Sequence, residues 1–208
     1  FHAGDPLVMK KTLALAKKHN VMVGAHPAYP DLVGFGRRSM NCSHDEIVAM
    51  VSYQLSAIDG MAKSQGVDLA YVKPHGALYN DMMSKDSVRL AVMEAIAGYH
   101  RPVKLTLLST NEANSYRTEA KQLGIELLFE AFADRCYDDD GKLLARSQPG
   151  AVHNREEMLA QVAQICRHGT VTSVSGKTLD LSPDTLCVHG DNDAGISAII
   201  DIRALIHA

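Results

Sequence analysis

The sequence lacks the features of a nucleic-acid-binding or membrane-spanning protein. Its 208 residues carry a net charge of −3 and contain no long basic run, which argues against nucleic acid or an anionic membrane surface as the main partner. No apolar stretch approaches the length of a transmembrane helix, and the segment from Phe1 shows no charged-then-apolar leader. We therefore expect a cytoplasmic protein that acts on a small molecule.

Several short enzyme and metal-binding motifs are also absent. The cysteines are Cys42, Cys136, Cys166 and Cys187. They form no C-x-x-C pair, so neither a zinc knuckle nor a redox motif is indicated, and we expect reduced thiols. The S-G-K-T run at 175–178 resembles the end of a P-loop, but Val171 stands where that motif requires glycine. The chain also contains no G-x-S-x-G and no H-E-x-x-H.

What is present is a regular alternation of short apolar runs and longer amphipathic segments. Helices are predicted over 7–19, 43–65, 86–98, 109–123, 154–167 and 192–206, and strands over 21–25, 69–72, 103–108, 125–129, 171–174 and 185–188. Ser43 with Glu46 and Ser109 with Glu112 match capping boxes, and Asn154 can cap the helix that follows it. Repeated strand–loop–helix units imply a parallel sheet with helices outside it. Polar loops at five or more strand ends favour a barrel over an open sheet. The predicted fold is one domain over 1–208, an α/β irregular (β/α) barrel whose amino-terminal strand is missing from this chain.

Four histidines lie in short polar clusters, three of which directly follow a predicted strand. The clusters are His2-Ala3-Gly4-Asp5-Pro6, Ala25-His26-Pro27, Lys73-Pro74-His75-Gly76 and Val188-His189-Gly190-Asp191. In an α/β barrel the loops at the carboxyl ends of the strands gather on one face and build the active site. We therefore expect one pocket that moves protons, binds a metal ion or holds a polar substrate.

The loops also supply charged residues that suit acid–base chemistry and anion binding. Lys73, at a strand end, has either a lowered pKa or a carbonyl-polarising role. Arg37, in a Gly-rich loop that resembles an active-site lid, is suited to grip a carboxylate or phosphate. Because the side chains of adjacent residues diverge, Glu130 and Arg135 are favoured over Asp134 as site residues.

These observations lead to a specific set of candidate residues. Catalytic candidates are Lys73, His75, Glu130, His2 and His189, and substrate-binding candidates are His26, Arg37, Arg135, Asn80 and Asp191. Simpler alternatives stay open for some of them. Asp191 or Asn192 can cap the last helix, Arg37 can be a solvated surface residue, and His26 can be held by backbone groups alone. His189 and Asp191 are two potential ligands for a divalent metal, which is too few to define a site, so no metal is assigned.

At these residues the chain resembles the LamB/YcsF family over essentially its whole length. The blocks that carry the resemblance are FHAGDP at 1–6, GAHPAYPDLVGFGRR at 24–38, VKPHGALYN at 72–80, EAFADRCY at 130–137, LLARSQPGAV at 143–152 and CVHGDN at 187–192. Family members usually open with an acidic block and an N-x-A-C-G segment, and neither is seen here. The family's fold is a barrel related to the glycoside hydrolase/deacetylase group, which agrees with the pattern of strands and helices.

The resemblance implies cleavage of the lactam ring of 5-oxo-L-proline to L-glutamate, coupled to ATP hydrolysis. It further implies that the chain is one subunit of a 5-oxoprolinase with two partner subunits, and that the complex consumes ATP. On this hypothesis His75 or Glu130 activates water, Lys73 stabilises the developing oxyanion or phosphate charge, and Arg37 or Arg135 holds the substrate carboxylate. The other three site histidines complete the polar wall or hold an optional divalent metal.

Two alternatives from other functional classes remain. The first is a stand-alone, metal-dependent deacetylase or amidohydrolase, which metal analysis and chelator sensitivity would distinguish. The second is a non-catalytic subunit that binds the substrate and presents it to its partners. Variants that lose turnover but keep substrate affinity would argue against that second alternative.

Overall fold

The computed structural model describes residues 1–207, which form seven helices and seven strands. The helices are α1 (Pro6–Lys18), α2 (His44–Ser64), α3 (Gly76–Ser84), α4 (Asp86–Ala97), α5 (Ala113–Gln122), α6 (Arg155–His168) and α7 (Asp193–Ile206). The strands are β1 (Val23–Ala25), β2 (Leu69–Val72), β3 (Lys104–Leu108), β4 (Glu126–Phe132), β5 (Thr170–Thr172), β6 (Thr178–Asp180) and β7 (Thr185–Cys187). No helix within residues 1–207 has the length and apolar character needed to cross a membrane.

The chain divides into two compact units. The first comprises Phe1–Leu107 and Tyr116–Leu127, and the second comprises Leu108–Ser115 and the chain from Leu128 onward. The single domain expected over 1–208 stays a prediction.

The first unit is built on parallel strands flanked by amphipathic helices. Strand β1 pairs with β2, and β2 pairs with β3, both in parallel. Val72 on β2 lies opposite Leu105 on β3, and both side chains are fully buried. Helix α2 begins at the predicted capping box, in which Ser43 and Glu46 bind each other's backbone N–H groups. The carboxyl ends of the strands are therefore anchored in packed, buried structure. This fixes the positions at which the following loops begin.

The second unit combines a parallel strand pair with two packed helices and a hairpin. Strands β4 and β7 are parallel, with Phe132 opposite Cys187, and β5 and β6 form an antiparallel pair. Helices α6 and α7 bury a shared apolar cluster that includes Met158, Val162 and Ile202. Asn154 caps α6 as predicted, and its side chain forms a capping box with Glu157.

The structure corrects several predicted element boundaries. Strand β4 extends to Phe132 rather than ending at position 129, so Glu130 lies inside the strand and not in the loop after it. Helix α3 was not predicted, because Pro74 and Gly76, two residues apart, indicated a loop. The capping box expected at Ser109 is wrong: α5 begins at Ala113, and the Ser109 hydroxyl accepts a hydrogen bond from the backbone N–H of Ser182.

The run that resembles a P-loop is the turn of the β5–β6 hairpin. The hydroxyl of Ser175 donates to the Asp139 carboxylate at 2.6 Å, and the Lys177 ammonium donates to the Asp139 carbonyl at 3.0 Å. Gly176 has a φ of +90°, as a tight hairpin turn requires. Strand β6 was missed because it is only three residues long.

Candidate active site

Three of the four predicted histidines lie together in the first unit. His26 follows β1, His75 follows β2, and His2 precedes α1, and one ring nitrogen from each lies within 4.8 Å of the others. The rings of His2 and His75 are stacked, with centroids 3.6 Å apart and an angle of 5° between their planes. Nδ1 of His75 is 3.1 Å from Nε2 of His26. We refer to His2, His26 and His75 as the three-histidine cluster.

Backbone hydrogen bonds continue past the ends of β1 and β2 and fix the loops that carry the cluster. The N–H of Lys73 donates to the carbonyl of Ala25 at 2.9 Å, and the N–H of His75 donates to the carbonyl of Pro27 at 2.8 Å. These two bonds extend the parallel ladder by one further step on each loop. The histidine positions are therefore set by the sheet itself rather than by a flexible connection.

A tight turn at Phe35 and Gly36 closes over His75. Phe35 has a φ of +54°, which is unfavourable for a residue with a side chain by about 1–2 kcal/mol. The carbonyl of Phe35 accepts a hydrogen bond from Nε2 of His75 at 2.9 Å. Gly36 has a φ of +67°, and a Cβ atom there would lie 3.0 Å from Cδ2 of His75. Glycine at 36 thus permits the contact between this turn and the cluster.

Hydrogen bonds to backbone carbonyls determine which ring nitrogens carry protons. Nδ1 of His26 contacts the carbonyl of Lys73 at 2.5 Å, as Nε2 of His75 contacts the carbonyl of Phe35. A carbonyl oxygen can only accept, so both of these nitrogens are protonated donors. The opposite nitrogens, Nε2 of His26 and Nδ1 of His75, are then bare when the rings are neutral.

The surroundings of the cluster disfavour protonated rings. Desolvation, followed by the charge of His75, lowers the pKa of His2 to about 4. Desolvation and the charge of His75 also lower the pKa of His26 to about 3, against the opposing effect of its bond to Lys73. His26 remains exposed in part, so its lowered pKa results from the crowding of nearby protein atoms rather than from full enclosure. Both histidines are therefore neutral at pH 7.

The other candidates of the first unit lie on the loops around the cluster. Lys73 holds His26 through its carbonyl, and its charge makes a smaller contribution to the lowered pKa of His26. The guanidinium of Arg37 lies over the ring of Phe35, 5.1 Å from its centroid. Asn80 is exposed on α3. The structure thus brings Lys73 and Arg37 close to partners of the cluster.

The loop predicted as a lid is tied down at several points. The buried carboxylate of Asp31 accepts hydrogen bonds from the N–H of Gly34 at 2.9 Å and from Nε of Arg38 at 3.0 Å. The bond to Arg38 lowers the pKa of Asp31 to about 2. The hydroxyl of Tyr29 donates to the carboxylate of Asp81 on α3 at 3.0 Å. Arg38 therefore stabilises the conformation of this loop.

In the second unit His189 is paired with Asp134. Nδ1 of His189 donates to both carboxylate oxygens of Asp134, at 3.0 and 2.9 Å, and the amide of Asn192 lies 3.4 Å from the same carboxylate. Burial of Asp134 raises its pKa, but the bonds to His189 and Asn192 and the charge of His189 outweigh burial, so the pKa is lowered. Asp134 is thus ionised, and Nε2 of His189 is left to accept a proton.

The backbone around Asp134 is held by buried side chains. The amide of Gln161 on α6 donates to the carbonyls of Phe132 and Arg135 at 2.8 and 2.9 Å. The backbone N–H of His153 donates to the carbonyl of Asp134 at 3.0 Å. Sequence reasoning did not anticipate Gln161, since a glutamine on a helix gives no signal of this role.

The remaining candidates of the second unit differ in their exposure and in their hydrogen bonds. Glu130 is 2% exposed within β4. Nε of Arg135 donates to the carbonyl of Ala151 at 3.1 Å, and the same guanidinium bonds to the carbonyl of Leu144. Asp191 is exposed in the turn before α7. The carboxylate that binds Nδ1 of His189 is that of Asp134, whereas the sequence favoured Glu130 and Arg135.

Asn192 has two contacts at the start of α7. Its side-chain oxygen accepts from the N–H of Ala194 at 3.1 Å, which makes it the helix cap, as one of the sequence alternatives proposed. Its amide nitrogen approaches Asp134. The cap therefore links α7 to the carboxylate of the Asp134–His189 pair.

Comparison with known proteins shows the family of this chain. The model of the LamB/YcsF family matches residues 1–208. The chain is 49% identical to a Vibrio campbellii protein named as a subunit of 5-oxoprolinase over 208 residues, covering all of this chain and 82% of the relative. It is 48% identical to the Chromohalobacter salexigens protein of the same name, covering 98% of this chain and 82% of the relative.

A solved structure shows the same fold. The crystal structure of the lactam utilization protein from Thermus thermophilus is 35% identical in sequence and has a TM-score of 0.84. The match covers 99% of this chain and 80% of that one. The similarity confirms the predicted α/β fold class. The chain belongs to the LamB/YcsF family.

Proposed function

We propose that this chain is one subunit of a 5-oxoprolinase and takes part in the ATP-dependent opening of the lactam ring of 5-oxo-L-proline to L-glutamate. The observation that carries the proposal is the 46–49% identity to relatives named as the same 5-oxoprolinase subunit, over 98–100% of the chain. The Thermus thermophilus relative, a lactam utilization protein, supports the same substrate class.

The proposed chemistry gives ATP a clear role. The lactam is a resonance-stabilised amide, so its carbon is a poor electrophile. Transfer of a phosphoryl group to the lactam oxygen makes the carbon electrophilic and the oxygen a good leaving group. Water then adds to that carbon, and the ring C–N bond breaks as the nitrogen takes up a proton and becomes the amino group. The resulting γ-glutamyl phosphate reacts with a second water, which releases inorganic phosphate and leaves L-glutamate. The lack of a P-loop in this sequence fits a phosphoryl-transfer step that belongs largely to the partner subunits.

Each unit contributes groups suited to a different part of this reaction. His189, with Nδ1 held by the ionised Asp134, has the arrangement of a general base that takes a proton from water at Nε2. In the first unit, Lys73 offers a positive charge to a developing oxyanion or phosphate, and Arg37 offers a guanidinium to the substrate carboxylate. We place the reaction in the cytoplasm, which suits cysteines that form no disulfide within residues 1–207.

The test is glutamate release from 5-oxo-L-proline by the full-length protein, with and without ATP and with and without the partner subunits. We expect release only when both ATP and the partners are present. Lys73→Ala should abolish release in the reconstituted complex without changing the unfolding transition. Lys11→Ala, which removes an exposed lysine from α1, is the matched control and should retain activity.

A stand-alone metal-dependent amide hydrolase is the second candidate function, favoured by the three-histidine cluster. It predicts amide hydrolysis without ATP or partners that is abolished by a chelator. Glutamate release by this chain alone would support that function and contradict the first. Absence of glutamate with partners shown to be competent, or full activity of Lys73→Ala, would count against the proposed roles.

A non-catalytic binding subunit predicts that variants lose turnover and substrate affinity together.

A further inference from the structure

We infer that His2, His26 and His75 form a binding site for one divalent transition-metal ion. The inference goes beyond the proposed function, because ring opening driven by ATP does not by itself require a metal bound to this chain. It rests on the ring geometry in the first unit, and its test does not depend on turnover.

Two ring nitrogens of the three-histidine cluster face each other. Nε2 of His26 and Nδ1 of His75 are 3.1 Å apart, a distance typical of a hydrogen bond. Each ring already donates its proton to a carbonyl, His26 to Lys73 and His75 to Phe35. Two neutral rings therefore direct a lone pair at each other, and no proton lies between them. Such a contact is unfavourable unless a cation is bound there.

The cation is either a proton or a metal ion, and the surroundings favour a metal. A proton held between Nε2 of His26 and Nδ1 of His75 would still leave the buried Nδ1 of His2 without a partner in the described part of the chain. A metal ion binds the neutral imidazole lone pair and adds ligand bonds that a proton does not make. Two nitrogens that each bind one tetrahedral metal ion at about 2.0–2.1 Å lie roughly 3.3 Å from each other. This is close to the 3.1 Å between Nε2 of His26 and Nδ1 of His75.

His2 supplies the third nitrogen. Its Nδ1 is buried and has no hydrogen-bond partner within residues 1–207, and a buried polar atom of this kind is costly unless something binds it. One ring nitrogen from each of the three histidines lies within 4.8 Å of the other two. One ion can be shared by all three rings only if the His2 ring turns out of its stack on His75, because parallel rings direct their lone pairs along separate planes. With that turn, a metal ion binds the facing lone pairs and gives the unsatisfied nitrogen of His2 a partner.

The ligand type and the outer contacts indicate which metal class the site would take. Imidazole nitrogen suits zinc, cobalt, nickel, copper and iron, whereas magnesium and calcium prefer oxygen ligands. Metal-bound histidines almost always donate their other N–H to a carbonyl or carboxylate, which fixes the ring, and His26 and His75 both do so. Three protein ligands leave a fourth position open to water or substrate, as in catalytic zinc sites.

The test is Co²⁺ binding to full-length protein whose affinity tag has been removed and whose metals have been stripped with a chelator. Equilibrium dialysis gives the stoichiometry, and visible d–d absorption reports coordination by protein nitrogens. We expect one Co²⁺ per chain. His26→Ala and His75→Ala should each weaken binding by at least about tenfold. His19→Ala, at an exposed histidine after α1, is the control and should bind Co²⁺ as the parent protein does.

A third variant keeps the test valid if removal of His26 or His75 disturbs folding. His2→Gln removes an imidazole whose Nδ1 makes no hydrogen bond within residues 1–207 and whose ring stacks on His75, so the variant should stay folded with only a small loss of stability while Co²⁺ affinity falls. Failure of the parent protein to bind Co²⁺ would overturn the inference. Binding that is as strong in His2→Gln and His75→Ala as in the parent would also overturn it, because the ion would then lie elsewhere on the surface.

Discussion

The two histidine arrangements differ in the group that fixes each ring. In the second unit a carboxylate, Asp134, accepts from Nδ1 of His189. In the first unit neutral carbonyls, those of Lys73 and Phe35, accept from His26 and His75. The same residue type is thus prepared for two kinds of chemistry, because the accepting group determines whether a positive charge on the ring is stabilised.

This difference has a direct chemical consequence. A proton that arrives at Nε2 of His189 creates an imidazolium beside the buried, ionised Asp134, which stabilises the charge. A proton that arrives at His26 creates a charge in desolvated surroundings next to His75, and this lowers the pKa of His26. His189 is therefore suited to move protons, and the three-histidine cluster is suited to hold a metal ion through neutral rings.

The largest effect should come from removing the carboxylate of the pair. Asp134→Asn keeps the size of the side chain but no longer fixes the tautomer of His189 or stabilises its charged form. We expect kcat for glutamate release in the reconstituted complex to fall by about 100-fold or more. The pH dependence of kcat should change as well, which a purely structural role would not produce.

Asp180→Asn, at an exposed aspartate on β6 in the same unit, is the charge-matched control. It should leave both kcat and the pH profile as in the parent protein. Equal activity of Asp134→Asn and Asp180→Asn would show that the Asp134–His189 pair takes no part in the reaction.

A smaller effect, this time on stability, should follow from filling the space beside His75. Gly36→Ala places a Cβ atom 3.0 Å from both Cδ2 of His75 and Cβ of Ala28, at a φ of +67°. Gly141→Ala has the same backbone problem at a φ of +80°, but no neighbouring atom lies within 4 Å of the new Cβ. Both variants should lose about 1–2 kcal/mol from the unfavourable φ.

The crowding at 36 should add about 1–3 kcal/mol to the loss in Gly36→Ala alone. Urea unfolding of both variants measures the difference in the free energy of unfolding. If Gly36→Ala proves no less stable than Gly141→Ala, the turn is not packed against His75 as the structure shows.

The smallest effect should be the pH dependence of stability that arises from the cluster. The pKa of His2 is lowered to about 4 and that of His26 to about 3, from 6.5 in the unfolded chain. The unfolded state therefore binds more protons below pH 6.5, and the free energy of unfolding should fall as the pH drops from 6.5 toward 3. Asp134 and Asp31, whose pKa values are also lowered, add to this loss at more acidic pH.

The measurement is urea unfolding between pH 7 and 4.5 in the presence of a chelator, so that no metal binds the cluster. His26→Gln should show a shallower fall than the parent protein. His19→Ala, which removes an exposed histidine, should fall as steeply as the parent. An equal slope in His26→Gln and the parent would mean that His26 is not held neutral by its surroundings.

The positions of the strand ends could be predicted from sequence, and with them the three-histidine cluster. Short apolar runs before His26 and His75 indicate parallel strands, and parallel strands present their carboxyl ends at the same edge. The sequence also predicted the caps at Ser43 and Asn154, because capping depends on a few adjacent residues. Helix caps of this kind are determined by residues close together in the sequence, so the sequence alone predicts them.

The pairing of His189 could not be predicted in the same way. Adjacent side chains do diverge after β4, but the sequence does not tell which one turns toward His189, and Arg135 was favoured over Asp134. The outcome depends on where β4 ends, and that strand ends three residues later than predicted. The proton positions on His26 and His75 depend on carbonyls brought close by the fold, which no sequence pattern reveals.

The most direct test of the contrast between the two arrangements is the protonation state of each ring nitrogen. Nitrogen-15 NMR of the histidine side chains in the metal-free protein at pH 7 would measure it. We predict a proton on Nδ1 of His26, on Nε2 of His75 and on Nδ1 of His189, and no proton on Nε2 of His26 or Nδ1 of His75. A proton held between His26 and His75, or His189 protonated only at Nε2, would contradict the account.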